Sequence, residues 1–100
     1  MTLIVAGTVR APRENIERLR PHMLDMMTKS RAEDGCIAYG YAEDVIEPGL
    51  IHVFEMWRDQ AALDAHFKTS HMAAWRAVFP QFQVTDRNLQ AFDVTAERTI

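Results

Sequence analysis

Short apolar or alternating stretches recur along the chain, and each predicts a β-strand. The first is LIVAGTVR at 3–10, whose two faces are nearly free of charge, so we expect a central strand. CIAYGYAE at 36–43 and LIHVFEMWR at 50–58 follow, joined across Pro48-Gly49, a turn signal that predicts an antiparallel hairpin. A long last strand is predicted at 84–97.

Helical spacing of apolar residues fills the two remaining gaps. One helix is predicted from about Pro12 to Ala32, bent at Pro21 and ended by Gly35 in a left-handed cap. The second helical region begins at Asp59, whose carboxylate is expected to accept a free N–H of the first turn. Thr69-Ser70 interrupts this region; we expect Ser70 to cap a second piece and Pro80 to end it.

The resulting order, β-α-β-β-α-β, predicts a ferredoxin-like α+β fold over residues 1–100, with a four-stranded antiparallel sheet and helices on one face. The other face is expected to be too apolar to be left in water, since Val5, Val53 and Tyr39 or Ala38 are expected to lie on it. Packing two sheets face to face in a homodimer would cover it.

Composition narrows the choice of partners and compartments. The chain has 100 residues, 48% hydrophobic and 25% charged, and a formal net charge of -3. These values suit one soluble domain, and no basic stripe suggests a nucleic-acid partner. The single cysteine, Cys36, and the lack of any leader or membrane-spanning pattern lead us to expect a cytoplasmic protein.

The stretch AHFKTSHMAAW at 65–75 raises the question of a metal site. His66 and His71 are five residues apart, which on one continuous helix would turn their rings about 140° from each other. The break at Thr69-Ser70 would change this geometry, but no cysteine or carboxylate stands nearby at ligand spacing. We therefore expect no metal at this stretch.

Several of these segments together resemble the antibiotic biosynthesis monooxygenase family, closest to its quinol monooxygenase type. They are the EDGC helix exit at 33–36, the strand FEMW at 54–57 and LDAHFKTSHM at 63–72. The resemblance covers the whole chain and implies a dimeric α+β barrel. It also implies oxidation of a quinol or phenol by molecular oxygen without a cofactor. The Asn, Trp and Tyr set of the polyketide-oxidising members is not reproduced, because Ala62, His66 and Met72 stand there.

Oxidation of this kind requires a base, because a phenolate gives up an electron to oxygen far more readily than a phenol. His66 and His71 are the predicted catalytic bases, with His52 as a further candidate; the alternative is that they only hydrogen-bond backbone at the helix break. Glu55 shares an apolar strand face with Trp57, so two readings are open. It is either in a structural ion pair with an arginine, within the chain or across the dimer, or a functional carboxylate with a raised pKa.

Aromatic residues are the predicted substrate-binding set, though each also suits an ordinary core. They are Tyr39, Phe54, Phe67 and Trp75, together with His52. The expected function is oxidation of a small quinol or phenol in a cavity between helices and sheet. Two alternatives stay open: an isomerase or lyase that uses a histidine base, and a dimeric module that binds an aromatic ligand without turnover.

Overall fold

The predicted order of elements is confirmed, with the second helical region divided in two. The computed structural model describes all residues, 1–100. Its elements are β1 (Thr2–Arg10), a 3₁₀ turn (Arg13–Asn15), α1 (Ile16–Arg31), β2 (Cys36–Glu43), β3 (Leu50–Trp57), α2 (Gln60–Phe67), α3 (Ser70–Phe82) and β4 (Thr85–Val94). The strands form one antiparallel sheet in the order β2-β3-β1-β4. This is the ferredoxin-like arrangement.

The central strand β1 is buried on the helix side through Leu3, Val5 and Val9. Gly7 lies on the same face, and a Cβ there would stand 1.9 Å from the carbonyl oxygen of Asn88 on β4. Glycine therefore permits the close approach of β4 to β1 just before the register shift between Thr8 and Arg10. The core between sheet and helices includes the fully buried side chains Trp57, Leu19, Met26 and Ile51.

The predicted end of the first helix at about Ala32 is confirmed, but Gly35 is not its cap, and both predicted ends of α3 are wrong in detail. α1 ends at Arg31, and Gly35 lies beyond it at φ +86°, in a turn where the Cys36 N–H donates to the Glu33 carbonyl. Thr69, not Ser70, caps α3, because its side chain accepts from the Met72 N–H. α3 continues through Pro80 and ends at Phe82, followed by Gln83 in a left-handed conformation. The predicted cap at Asp59 is confirmed by a 2.9 Å bond from the Ala62 N–H.

The uncovered face of the sheet carries Ala38, as one of the predicted alternatives has it, but not the other predicted residues. Val5, Val53 and Tyr39 are buried on the helix side. A bulge in β2 between Cys36 and Ala38 turns Ile37 away from Tyr39, so Ile37 is 56% exposed. On the uncovered face, cross-strand pairing places Ala38, Met56, Ile4 and Phe92 in one row. The next row holds Phe54, and Phe54 and Phe92 are among the exposed large apolar side chains.

No helix in the structure combines the length and the apolar character needed to cross a bilayer.

Candidate functional site

A small apolar cavity lies between the helix side of the sheet and the second helical region. Its volume is about 30 Å³, little more than a water molecule needs. Ten of its 13 lining residues are hydrophobic. The polar groups on its wall come from Glu55, His66, Arg87 and the hydroxyls of Tyr39 and Tyr41. Such a wall, mostly apolar with a few polar groups, is typical of small-molecule sites.

His66 is the most deeply buried of these polar residues, with 1% of its surface exposed. Its Nδ1 lies 2.6 Å from Glu33 Oε2, and His71 Nε2 lies 2.7 Å from the same oxygen. One carboxylate oxygen is therefore hydrogen-bonded to both imidazole rings. Since an ionised carboxylate only accepts hydrogen bonds, both ring nitrogens donate their N–H groups to it. Glu33 and His71 are themselves largely buried, with 13% and 11% of their side chains exposed.

The helix break creates this convergence. Thr69 Oγ1 donates to the His66 carbonyl at 2.8 Å and accepts from the Met72 N–H at 3.2 Å, so one side chain joins the end of α2 to the start of α3. The change of direction brings the rings of His66 and His71 to a centroid distance of 6.0 Å. The expectation that the break at Thr69-Ser70 changes the geometry is confirmed; the separation of about 140° would hold only on one continuous helix.

Glu33 was missed as a partner of the two histidines. It precedes His66 by 33 residues and His71 by 38, in the turn after α1. The expectation that no carboxylate stands near the histidines is therefore wrong. The sequence contained one relevant signal, the EDGC helix exit, but nothing in it indicated which side chain would face α2.

Burial and hydrogen bonding act in opposite directions on the pKa of His66. Burial lowers that pKa, and the hydrogen bond and charge of Glu33 oppose the shift without cancelling it. The ring is therefore neutral near pH 7, with its hydrogen on Nδ1 toward Glu33. Nε2 has no hydrogen-bond partner, and the ring lines the cavity. In this tautomer Nε2 is the ring nitrogen that can accept a hydrogen bond.

Glu55 is buried against Trp57, whose indole N–H donates to its Oε1 at 3.0 Å. Within the chain it forms no ion pair, and pairing with an arginine of a second copy stays a prediction. Burial raises the pKa of the Glu55 carboxyl; the Trp57 hydrogen bond and the charge of Arg87 oppose that shift. Beside it the hydroxyls of Tyr39 and Tyr41 are 2.7 Å apart, and burial raises both pKa values. Both tyrosines therefore remain protonated.

The structure brings together part of the predicted substrate-binding set. Tyr39, Phe67 and Trp75 line the cavity, and Trp75 stacks on Tyr41 at a ring distance of 5.4 Å. The prediction that His52 and Phe54 shape it is wrong, because their period-two positions place them on the opposite sheet face. His52 instead bonds Asp44 at 2.8 Å. His71 does not line the cavity. It is connected to the cavity residue His66 through the Glu33 carboxylate.

Comparison with known proteins gives this geometry a context. The family model described as "Antibiotic biosynthesis monooxygenase" matches residues 2–78. The Mycobacterium tuberculosis protein named "Putative monooxygenase Rv0793" is 38% identical over 79 residues, which are 77% of each chain. The Synechocystis protein sll1783, of uncharacterized function, is 28% identical over 98% of this chain and 67% of its own.

Solved structures agree. One from Deinococcus radiodurans, described as an antibiotic biosynthesis monooxygenase with that assignment marked as provisional, superposes with a TM-score of 0.90 at 25% identity. The alignment covers 100% of this chain and 98% of that one. The structure of Rv0793 superposes with a TM-score of 0.84 at 26% identity, over 99% of this chain and 100% of that one. The chain therefore belongs to the antibiotic biosynthesis monooxygenase family.

Proposed function

We propose that this protein oxidises a small quinol or phenol with molecular oxygen, without a cofactor, and that His66 is the base. The observation that carries the proposal is the setting of His66: Glu33 holds Nδ1 at 2.6 Å, Nε2 has no hydrogen-bond partner, and the residue lines an apolar cavity. A neutral imidazole with a fixed tautomer is the form a general base requires. Family membership supports the reaction class.

The first step is a proton transfer from the substrate hydroxyl to His66 Nε2. The imidazolium that forms is stabilised by the Glu33 carboxylate on its other side. The substrate anion then passes one electron to oxygen, and the two radicals combine at a ring carbon to form a C–O bond. The His66 imidazolium returns its proton to the resulting peroxide anion, which gives a hydroperoxide and restores the neutral base. Loss of water from the hydroperoxide leaves a carbonyl on the ring, so one oxygen atom enters the product and the other leaves as water.

The Tyr39–Tyr41 hydroxyl pair and Trp75 provide the binding surface for a flat ring. Trp75 is already stacked on Tyr41 at an interplanar angle of 17°, and aromatic faces of this kind accept a further ring by offset stacking. At about 30 Å³ the cavity must widen to admit a ring. Phe67, which is 40% exposed, and half-buried Phe79 line it, and outward rotation of these rings would widen it.

The test is oxygen uptake with a panel of hydroquinones, comparing wild type with His66→Gln. Glutamine keeps a donor toward Glu33 but removes the basic nitrogen, so kcat should fall by about 100-fold or more while KM changes little. His52→Gln is the matched control, because His52 is exposed on the other sheet face, and it should retain full activity.

Two results would overturn the proposal. Unchanged uptake in His66→Gln would remove the base from the mechanism. Turnover that persists under strict anaerobiosis would point to an isomerase or lyase that uses the same histidine.

A further inference from the structure

We infer that Glu33, His66 and His71 form a binding site for a divalent transition metal, Zn²⁺ above all, and that the metal inhibits the base. The three residues come from three elements: the turn after α1, α2 and α3. Their donor atoms all lie within 4.8 Å of one another. Two imidazole nitrogens and one carboxylate are the ligand set of many catalytic zinc sites. The binding site itself does not depend on the proposed function. Only the claim that the metal inhibits the base, His66, rests on it.

The distances show what binding would require. Glu33 Oε2 is 2.6 Å from His66 Nδ1 and 2.7 Å from His71 Nε2, which are hydrogen-bond lengths. Ligand atoms about 2.0 Å from a tetrahedral zinc lie about 3.3 Å apart. Each N–O pair must therefore widen by roughly 0.6 Å, a change that small side-chain rotations provide. The metal would replace two N–H···O bonds with two N–metal bonds and one O–metal bond.

The site also has access from solvent through a depression that shares no lining residue with the cavity. An open depression of about 290 Å³ is bordered by Glu33, Ala65 and Thr69. A metal ion would reach the carboxylate through this depression without crossing the apolar cavity, so it does not compete with substrate for space. An entry path of this kind is one of the requirements for a metal site.

Binding would reverse the polarity of His66. A neutral imidazole that coordinates through Nδ1 carries its hydrogen on Nε2. The hydrogen of His66 then moves from Nδ1 to Nε2, and that of His71 moves from Nε2 to Nδ1, so neither ring changes charge. His66 would present a donor to the cavity instead of an acceptor and would no longer remove a proton from the substrate.

The first experiment measures binding in the chelator-treated full-length protein without substrate. Zn²⁺ is titrated by calorimetry and Co²⁺ by its visible absorption, which reports the coordination number. Glu33→Gln and His71→Asn should each weaken binding by more than about 100-fold, the upper end of what losing an outer-shell partner costs. His52→Asn is the matched control. His52 also pairs with a carboxylate, Asp44, but no second histidine joins that pair, so the variant should leave the metal affinity unchanged.

Nitrogen NMR of the histidine rings supplies a readout that does not depend on activity or on the stability of the variants. Saturation of the wild type with Zn²⁺ should move the hydrogen of His66 from Nδ1 to Nε2. Oxygen uptake should fall in proportion to occupancy. Full affinity in both ligand variants, an unmoved His66 hydrogen, or unchanged uptake at saturation would each overturn the inference. If the metal-free protein oxidises no quinol, the proposed function fails while the binding result still stands.

Discussion

Glu55 and His66 are both titratable and both almost completely buried, with 5% and 1% of their surfaces exposed. Each has one strong hydrogen-bond partner: Trp57 for Glu55 and Glu33 for His66. Burial disfavours the charged form of either group, so the pKa of Glu55 rises and that of His66 falls. Two groups with opposite charges when ionised are thereby both shifted toward neutrality in one cavity.

The buried carboxyl of Glu55 gives a prediction about stability and pH. Below its pKa in the unfolded chain, about 4.3, Glu55 is neutral in both states and affects folding little. Above that pH the unfolded chain loses the Glu55 proton, while the native state keeps it because its pKa is raised. The native state therefore loses stability as pH rises through the pKa of the folded state. Glu55→Gln removes the ionisation and leaves an amide oxygen to accept from Trp57. The free energy of unfolding should therefore be higher in the variant at pH 8 and nearly equal to wild type at pH 4.

Denaturant unfolding at both pH values checks this. Glu97→Gln, at an exposed carboxylate near the end of the chain, is the control and should have no effect at either pH. A gain for Glu55→Gln of equal size at pH 4 and pH 8 would show that shape, and not charge, is responsible.

The junction between α2 and α3 is the element on which the histidine geometry depends. Thr69 caps α3 and also holds the last turn of α2 through the His66 carbonyl. Thr69→Ala should lower the free energy of unfolding by about 1 kcal/mol, the usual loss for an N-cap. Ser70→Ala, one residue later, should change it by less than about 0.5 kcal/mol, since exposed Ser70 makes no side-chain hydrogen bond. Urea denaturation of the two variants separates these expectations, and a larger loss in Ser70→Ala would contradict the assigned cap.

The strands and helices could be predicted because the spacing of apolar residues indicates which face of an element is buried. This spacing does not indicate the local details that define the site. Thr69 and Ser70 are equally good caps by residue type, and only backbone conformation decides between them. Strict alternation would place Ile37 on the same face as Tyr39, but the bulge in β2 reverses its direction. Glu33 meets the histidines through a long-range contact that no local pattern reports.

At the scale of the whole molecule, one face of the sheet has no cover within the chain. Its rows contain Ile4, Met56 and Phe92, then Phe54, and Phe54 is 45% exposed while Phe92 is 49% exposed. Contiguous apolar surface of this kind is typical of a protein interface. We propose that a second copy of the chain packs its sheet against this face, which places each cavity on the far side of its own sheet and leaves it open.

This proposal predicts a dimer that a single charge disrupts. Phe54→Glu puts a carboxylate among apolar side chains of both copies, and an unpaired buried charge of this kind is strongly unfavourable. Sedimentation velocity should give about twice the monomer mass for wild type and the monomer mass for Phe54→Glu. Val45→Glu is the matched control, because Val45 is fully exposed on the β2–β3 loop and should leave the mass unchanged. A wild-type protein that is monomeric and folded would refute the dimer, and the exposed phenylalanines would then require another partner.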